Sequence, residues 1–276
     1  MAYDSTFNGS RWIPSLAALP RKYTQFVYYG ISIGLFLLTW QVMALWIVPE
    51  LLPEIGPVSA EMWALVESGV FFTHLAATLR RVFVGFLLAF GLSVPLGIVM
   101  GLDERVEYLV EIPILIGISV PGLAVAILTI IWFGLAELTA YVSVFLLATP
   151  MIVFNFWQGT KSIDQDLIKM GTVFEAGWPR MARHIILPSL LPHLLAAARF
   201  GLALSWKIVV IVELLGLTSG IGYMINNEFQ LYSIVGVMAW TLNFTIVMMC
   251  IEFGLIKTLE RRVTKWRSDS NGEVRA

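Results

Sequence analysis

Three charged side chains, Arg199, Lys207 and Glu213, fall in one stretch, 190–217, whose other residues are mostly apolar or small. A charge held among hydrocarbon can neutralise an opposite charge on a neighbouring helix, meet a charged solute, or pass protons along a relay. Lys207 and Glu213 stand six residues apart, about 240° around a helix, so on one regular helix they do not pair with each other. Two readings stay open: each charge finds a neighbouring helix, or Lys207 lines a polar cavity that would suit an anionic solute. Arg80 and Arg81 stand at the entrance to another apolar run and can snorkel to the interface. Glu213 and Glu252 look isolated, with no spacing of a carboxylate relay.

Other chemistry finds no framework in the chain. There is no Gly-x4-Gly-Lys-Ser/Thr phosphate loop, so no nucleotide site is encoded, and no His-Glu-x2-His metal motif. His74, His184 and His193 are scattered without ligand spacing, so no metal is expected. The single cysteine, Cys250, lies in an apolar run, which excludes an intramolecular disulfide. No cofactor, enzyme activity or nucleic-acid partner is expected.

The elements that must position these charges are membrane spans. Of 276 residues, 58% are hydrophobic and only 13% charged, against about 25% charged in a soluble domain; the mean hydropathy is +0.81. A span takes about 20 apolar residues. Windows with little or no charge place spans near 26–48, 82–102, 112–136, 138–160, 190–217 and 231–255, the third bent at Pro121-Gly122. The fold class is an all-α membrane protein with six transmembrane helices. The first 25 residues lack an apolar segment followed by a small-residue cleavage site, so the first span reads as an uncleaved anchor.

The basic residues orient these spans. Arg11, Arg21, Lys22, Arg105, Lys161, Lys169, Arg180 and Arg183 fall in segments on one side, together with the tail residues Lys257, Arg261, Arg262, Lys265, Arg267 and Arg275. Only Arg80, Arg81, Arg199 and Lys207 of the 18 Lys and Arg residues lie elsewhere. The segments 49–73 and 218–230 on the other side hold no Lys or Arg, but carry Glu50, Glu54, Glu61, Glu67 and Glu228. The positive-inside rule puts both termini in the cytoplasm, with 1–25 and 258–276 as cytoplasmic ends. The outer segment 52–72 reads as a short surface helix, with Ser59 able to cap and Met62, Leu65 and Val66 on one apolar face. Trp12, Trp40, Trp46, Trp63, Trp132, Trp157 and Trp178 fit an interfacial belt. Gly30-x3-Gly34, Gly97-x3-Gly101 and Gly216-x3-Gly220 allow close helix contacts but are too common in spans to be diagnostic.

The longest polar interruption, 161–188, is a cytoplasmic elbow. Leu167, Met170 and Phe174 at i, i+3 and i+7 form an apolar stripe on a short helix. Gly177 and Pro179 then break the chain, Pro179 opening a second, basic helix with Arg180, Arg183 and His184. An apolar stripe away from lipid calls for a protein partner.

The elbow ends in Ile185-x-Leu187-Pro188, and in this it resembles the coupling segment of binding-protein-dependent ABC importer permeases. Their pattern is Glu-Ala-Ala, three residues, Gly, nine residues, Ile-x-Leu-Pro. Further stretches are similar to the branch importing nitrate, sulfonates and taurine. They are Ser119-Val-Pro-Gly-Leu-Ala with Ile131-Trp-Phe-Gly-Leu-Ala-Glu137, then Leu204-Ser-Trp-Lys207, then Val212-Glu-Leu-Leu-Gly216 with Ser219-Gly-Ile-Gly-Tyr223. Leu52-Pro-x4-Val58 also fits, so the ordered set spans roughly 52–262. The chain departs from the pattern in the elbow itself. Lys169-Met170-Gly171 stand where Glu-Ala-Ala belongs, and Glu175 takes the glycine position, so the glycine turn is made by Gly177 or not at all.

The resemblance implies a type-1 ABC importer permease fold occupying 26–257, in a bacterial cytoplasmic membrane. It implies coupling through Leu167, Met170, Gly171, Phe174, Gly177 and Pro188, and a translocation path near Pro121, Arg199, Lys207 and Glu213. Implied partners are cytoplasmic ATP-binding subunits, an extracytoplasmic substrate-binding protein and a second permease subunit, identical or carrying the full motif. The solute is expected to be a small anion of the nitrate, sulfonate or taurine kind. The alternatives are a small heterocycle such as a pyrimidine vitamin precursor, or a different machine altogether: an ion-coupled secondary transporter, or a membrane-embedded enzyme or scaffold.

Overall fold

The computed structural model describes residues 21–47 and 51–256, so the N-terminal segment and the basic tail expected above lie outside the described residues. No strand occurs among the described residues. They form two units, ending and beginning at Ser59 and Ala60.

In the first unit α1 (Arg21–Val42) runs into a π-helical turn, Met43–Ile47. Its exposed Phe26, Phe36 and Leu38 suit lipid. Near its end, the Trp40 indole donates to the Pro53 carbonyl at 3.0 Å, and the Gln41 side chain accepts from the Ile55 amide at 3.2 Å. That amide opens α2 (Ile55–Glu67). The cap is therefore Gln41. Ser59, expected in that role, lies inside the helix and returns its hydroxyl to the Gly56 carbonyl at 2.9 Å.

The second unit is a bundle built on α3 (Val70–Leu102) and α6 (Glu137–Lys161). Gly85, Ala89, Ser93, Gly97 and Gly101 repeat every four residues along α3, a stripe with almost no side-chain bulk. A methyl group on Gly85 would lie 2.6 Å from the Val144 Cβ, one on Gly97 2.5 Å from the Phe156 Cβ, and one on Gly101 would collide with Thr160. Small residues at this spacing let two backbones approach in lipid, where dispersion contacts drive association. The Gly97–Gly101 pair thus belongs to a longer and more telling repeat than its own spacing suggests.

α4 (Glu104–Ser119) and α5 (Gly122–Phe133) meet at Val120–Pro121, where their axes turn by 98°. The contacts of this pair along α6 show what the bend means. Glu107 pairs with Lys161 at one end of α6. Gly117 touches Pro150 and Gly122 faces Leu147. Thr129 bonds Ser143 at 2.6 Å, and the Gly134 carbonyl accepts from Thr139 at 2.6 Å. The register falls steadily from one end of α6 to the other, so the pair is one broken span and not a re-entrant loop. With α1, α3, α6, the continuous helix Pro179–Gly216 and Ile234–Glu252, the described residues hold six spans.

The elbow leaves α6 at Lys161 as α7 (Gln165–Val173) and α8 (Trp178–Met181). A π-helical turn, Ala182–Ile186, joins α8 without a break to α9 (Leu187–Gly216). At the far end of the bundle α10 (Ile221–Gln230) folds back before α11 (Ile234–Met249). There Leu65 and Val66 pack against Phe71, Leu75, Ile221, Trp240 and Phe244. Met100, Ile114, Val153 and Trp157 form a smaller core toward the elbow end, which takes Trp157 out of the expected interfacial belt and buries it.

Candidate functional site

Three features could do work. The first is the elbow. Leu167 is 40% exposed, Met170 51% and Phe174 76%. The stripe read from i, i+3, i+7 is present, with Phe174 directly following α7 and Val173, equally exposed, widening it. Gly171 differs: it is buried, and a methyl there would lie 3.1 Å from the Ile185 Cδ1 and 3.4 Å from the Met181 sulfur. It seats α7 on the second elbow helix and offers no docking surface of its own. The chain reverses at Glu175, whose φ is +52°, in the left-handed region. The Phe174 amide bonds the Met170 carbonyl at 3.0 Å and the Ala176 amide bonds the Gly171 carbonyl at 2.9 Å, which closes the helix end. Of the two readings, the one in which Gly177 makes this turn is overturned. Glu175 makes it at the glycine position of the motif, and Gly177 is not among the residues of positive φ. Pro188 is exposed in the first turn of α9 and lines a cavity of about 270 Å³ with Ser162, Asp164, Leu167 and His193.

The second feature surrounds Lys207. It lies on α9 nine residues, about 14 Å, before the helix end. It borders a cavity of about 230 Å³ with Gly117, Val120, Gly122, Leu147 and Ile211, and one of about 500 Å³ with Arg199, Phe200 and Glu252. Its ammonium stands 5.6 Å from the centroid of the Trp206 ring. Among the described residues no carboxylate is within ion-pairing distance of it. Arg199 instead pairs with Glu252 at 3.0 Å, so Glu252 is not isolated. Pro121 marks the α4–α5 break, between the cavity-lining Val120 and Gly122, and α5 has no side-chain cap.

The third feature is a buried ion cluster that the sequence reading missed. Arg81 is 2% and Glu213 1% exposed. The Arg81 guanidinium donates to Glu213 at 2.6 Å, to both oxygens of Glu137 at 2.7 and 3.2 Å, and to the Ser219 carbonyl and hydroxyl at 2.6 and 2.8 Å. Arg80 joins Glu137 from the exposed side at 2.9 Å. Glu213 also accepts from Thr78 at 2.9 Å and from the Gly222 amide at 3.0 Å. The amides of Gly220 and Ile221 go to His74 and Thr78, at 3.1 and 2.8 Å. The first N–H groups of α10, which a helix leaves unbonded, are thus taken by side chains of α3 and α9. The two outcomes differ. Arg81 does not snorkel, because α3 begins at Val70 and carries it a full three turns into the protein. Glu213 follows the reading in which a charge finds a neighbouring helix, meeting Arg81 of α3, and it lines neither cavity near Lys207. One signal was available: His74, Thr78 and Arg81, at i, i+4 and i+7, form a polar stripe facing one way.

Six candidate spans and an apolar, exposed elbow between two of them have the architecture of a membrane transport subunit. The chain belongs to the family described as binding-protein-dependent transport system inner membrane component, whose model matches residues 93–265. It is 32% identical over 255 residues to a putative aliphatic sulfonates transport permease protein SsuC of Bacillus subtilis strain 168, covering 88% of this chain and 91% of the relative. It is 31% identical to the taurine transport system permease protein TauC of Escherichia coli strain K12, covering 71% of each. A formylaminopyrimidine transport permease protein ThiX of Halalkalibacterium halodurans is 27% identical over 84% of this chain and 93% of the relative. Among solved structures, an inward-facing MetNI methionine ABC transporter matches with a TM-score of 0.63 at 20% identity, over 73% of this chain and 97% of that one. The type-1 permease fold and the ABC importer class expected from the motifs are both borne out. The family works with ATP-binding subunits and a substrate-binding protein, and ATP hydrolysis is on a separate chain.

Proposed function

We propose that this permease imports a small sulfonate-type anion, with its elbow in the cytoplasm as the docking surface for the ATP-binding subunit. The observation that carries the reading is the exposed stripe of Leu167, Met170 and Phe174 on a helix that leaves the bundle at Lys161. Burying one such Phe on a partner is worth about 1.5–3 kcal/mol. Gly171 and Gly177 shape the elbow, and Pro188 starts the helix that carries its movement into α9. The basic residues support the orientation, with both termini cytoplasmic and α10 facing outward. The relatives' names support the sulfonate class over a pyrimidine. A second permease subunit completes the path, which opens alternately to either side as the ATP-binding subunits close.

The test compares three substitutions. Phe174→Asp and Leu167→Asp should each cut co-purification of the ATP-binding subunit at least tenfold, or leave ATP hydrolysis deaf to the loaded binding protein. Gln165→Asp, off the i, i+3, i+7 register, should be tolerated. Normal transport by Phe174→Asp would mean that the coupling surface, and with it the cytoplasmic placement of the elbow, lies elsewhere.

A further inference from the structure

The basic side chains within the spans are not equivalent. Arg80 and Arg81 share Glu137 and Glu213, and Arg199 is matched by Glu252. Lys207 alone of these four has no carboxylate partner among the described residues. A lysine deep in a span costs about 2.5–3.5 kcal/mol on insertion scales, a cost met by water, a partner or use. Lys207 borders both cavities, and Leu204, one turn away, borders both with it. The walls facing it in the smaller cavity are apolar: Ile118, Leu147, Ile208 and Ile211. Low polarity around a single charge strengthens its attraction for an opposite one. The break before α5 places Val120 and Gly122 on the same cavity as Lys207.

We infer that Lys207 is the charge-reading residue of an anion subsite on the transport path, one that takes a small solute with a single anionic head and a short aliphatic body. The ammonium meets the head, and the isoleucine and leucine walls accept the body. This rests on the importer reading above and adds to it the residue that meets the solute's charge inside the permease. Selection then occurs twice, once on the binding protein and once at Lys207.

A test that needs no knowledge of the solute uses Leu204→Cys in a Cys250→Ala background, in the assembled transporter in proteoliposomes. Reaction with a sulfonate-bearing methanethiosulfonate is compared with a trimethylammonium-bearing one. With Lys207 present the anionic reagent should be favoured, and Lys207→Met should lower the ratio of the two rates on the order of tenfold. An unchanged ratio, or no labelling by either reagent, overturns the subsite. A second arm measures uptake of radiolabelled ethanesulfonate. Lys207→Met should lose at least about tenfold, Lys207→Arg should restore part of it, and the binding protein's own affinity is a fixed reference. If wild-type transporter takes up no ethanesulfonate, the sulfonate reading fails while the reagent ratio still decides Lys207. If Lys207→Met and Lys207→Gln both fail to assemble and Lys207→Arg does not, the charge is structural and the subsite falls.

Discussion

The two ends of the bundle are held by opposite means. At the far end, Arg81, Glu137, Glu213 and Thr78 tie α3, α6 and α9 to the start of α10 with every Arg81 donor nitrogen engaged and almost no solvent contact. At the elbow end, Lys169 and Asp166 pair at 3.2 Å with both side chains exposed, and only the Glu107 side of the Lys161 pair is buried. Buried charges with satisfied hydrogen bonds resist rearrangement because losing one partner strands the other, whereas exposed pairs contribute about 0–1 kcal/mol and reform easily. On the proposed function, the exposed elbow would follow its ATP-binding partner while the far end keeps its geometry, and the distribution of charge is consistent with that division.

The comparison breaks most visibly at Arg81. Arg81→Met leaves Glu213 buried without a cation, while Glu137 keeps Arg80, a loss of about 3–5 kcal/mol. The apparent Tm of the purified complex should fall on the order of 10 °C. Adding Glu213→Gln should recover part of that loss, since no buried anion is then stranded. A Tm within a degree or two of wild type for Arg81→Met alone would show that the cluster is not what holds the far end.

The membrane architecture was legible because hydrocarbon imposes it: long apolar windows with little or no charge gave six spans, and Pro121-Gly122 gave the position of the broken one. The elbow stripe was legible from its period. What escaped were contacts between residues remote in sequence. Arg81 meets Glu137 and Glu213 across 56 and 132 residues, and nothing in either neighbourhood shows that the other exists. A partner for Glu213 on a neighbouring helix was one of the two open readings, but which helix was not legible, and Arg81 read as a snorkelling residue. The start of α3 was misplaced for a related reason. His74, Arg80 and Arg81 looked like a border to the apolar run, but polar residues inside a span are allowed once they are paired.

A smaller contrast separates the glycines of the two ends. In Gly222→Ala the new methyl would collide with the Val210 carbonyl and approach the Glu213 Cβ within 2.8 Å. Backbone cannot yield as a flexible side chain does, so a cost of about 1–3 kcal/mol follows, again read as a fall in Tm. In Gly177→Ala the nearest atom is the Pro179 Cδ at 3.9 Å. That change should stay within about 0.5 kcal/mol and leave ATP-driven transport intact. Equal costs at the two sites would erase the distinction between a packed end and a loose one.

The smallest effect concerns the turn at Glu175. An L-residue in the left-handed region is disfavoured by about 1–2 kcal/mol because its Cβ crowds the following carbonyl, and glycine escapes this. Part of the gain is offset by the greater freedom of glycine in the unfolded chain. Glu175→Gly should therefore favour the closed turn by about 1 kcal/mol, roughly a fivefold slowing of exchange at the Ala176 amide, which bonds the Gly171 carbonyl. Glu175→Ala removes the charge but keeps the Cβ, and should exchange at close to the wild-type rate, which separates strain from electrostatics. Transport should hold or rise slightly in Glu175→Gly, since a firmer elbow transmits movement with less loss. Faster exchange in Glu175→Gly than in wild type would mean that the glutamate side chain, and not the backbone conformation of this turn, is what the elbow has retained.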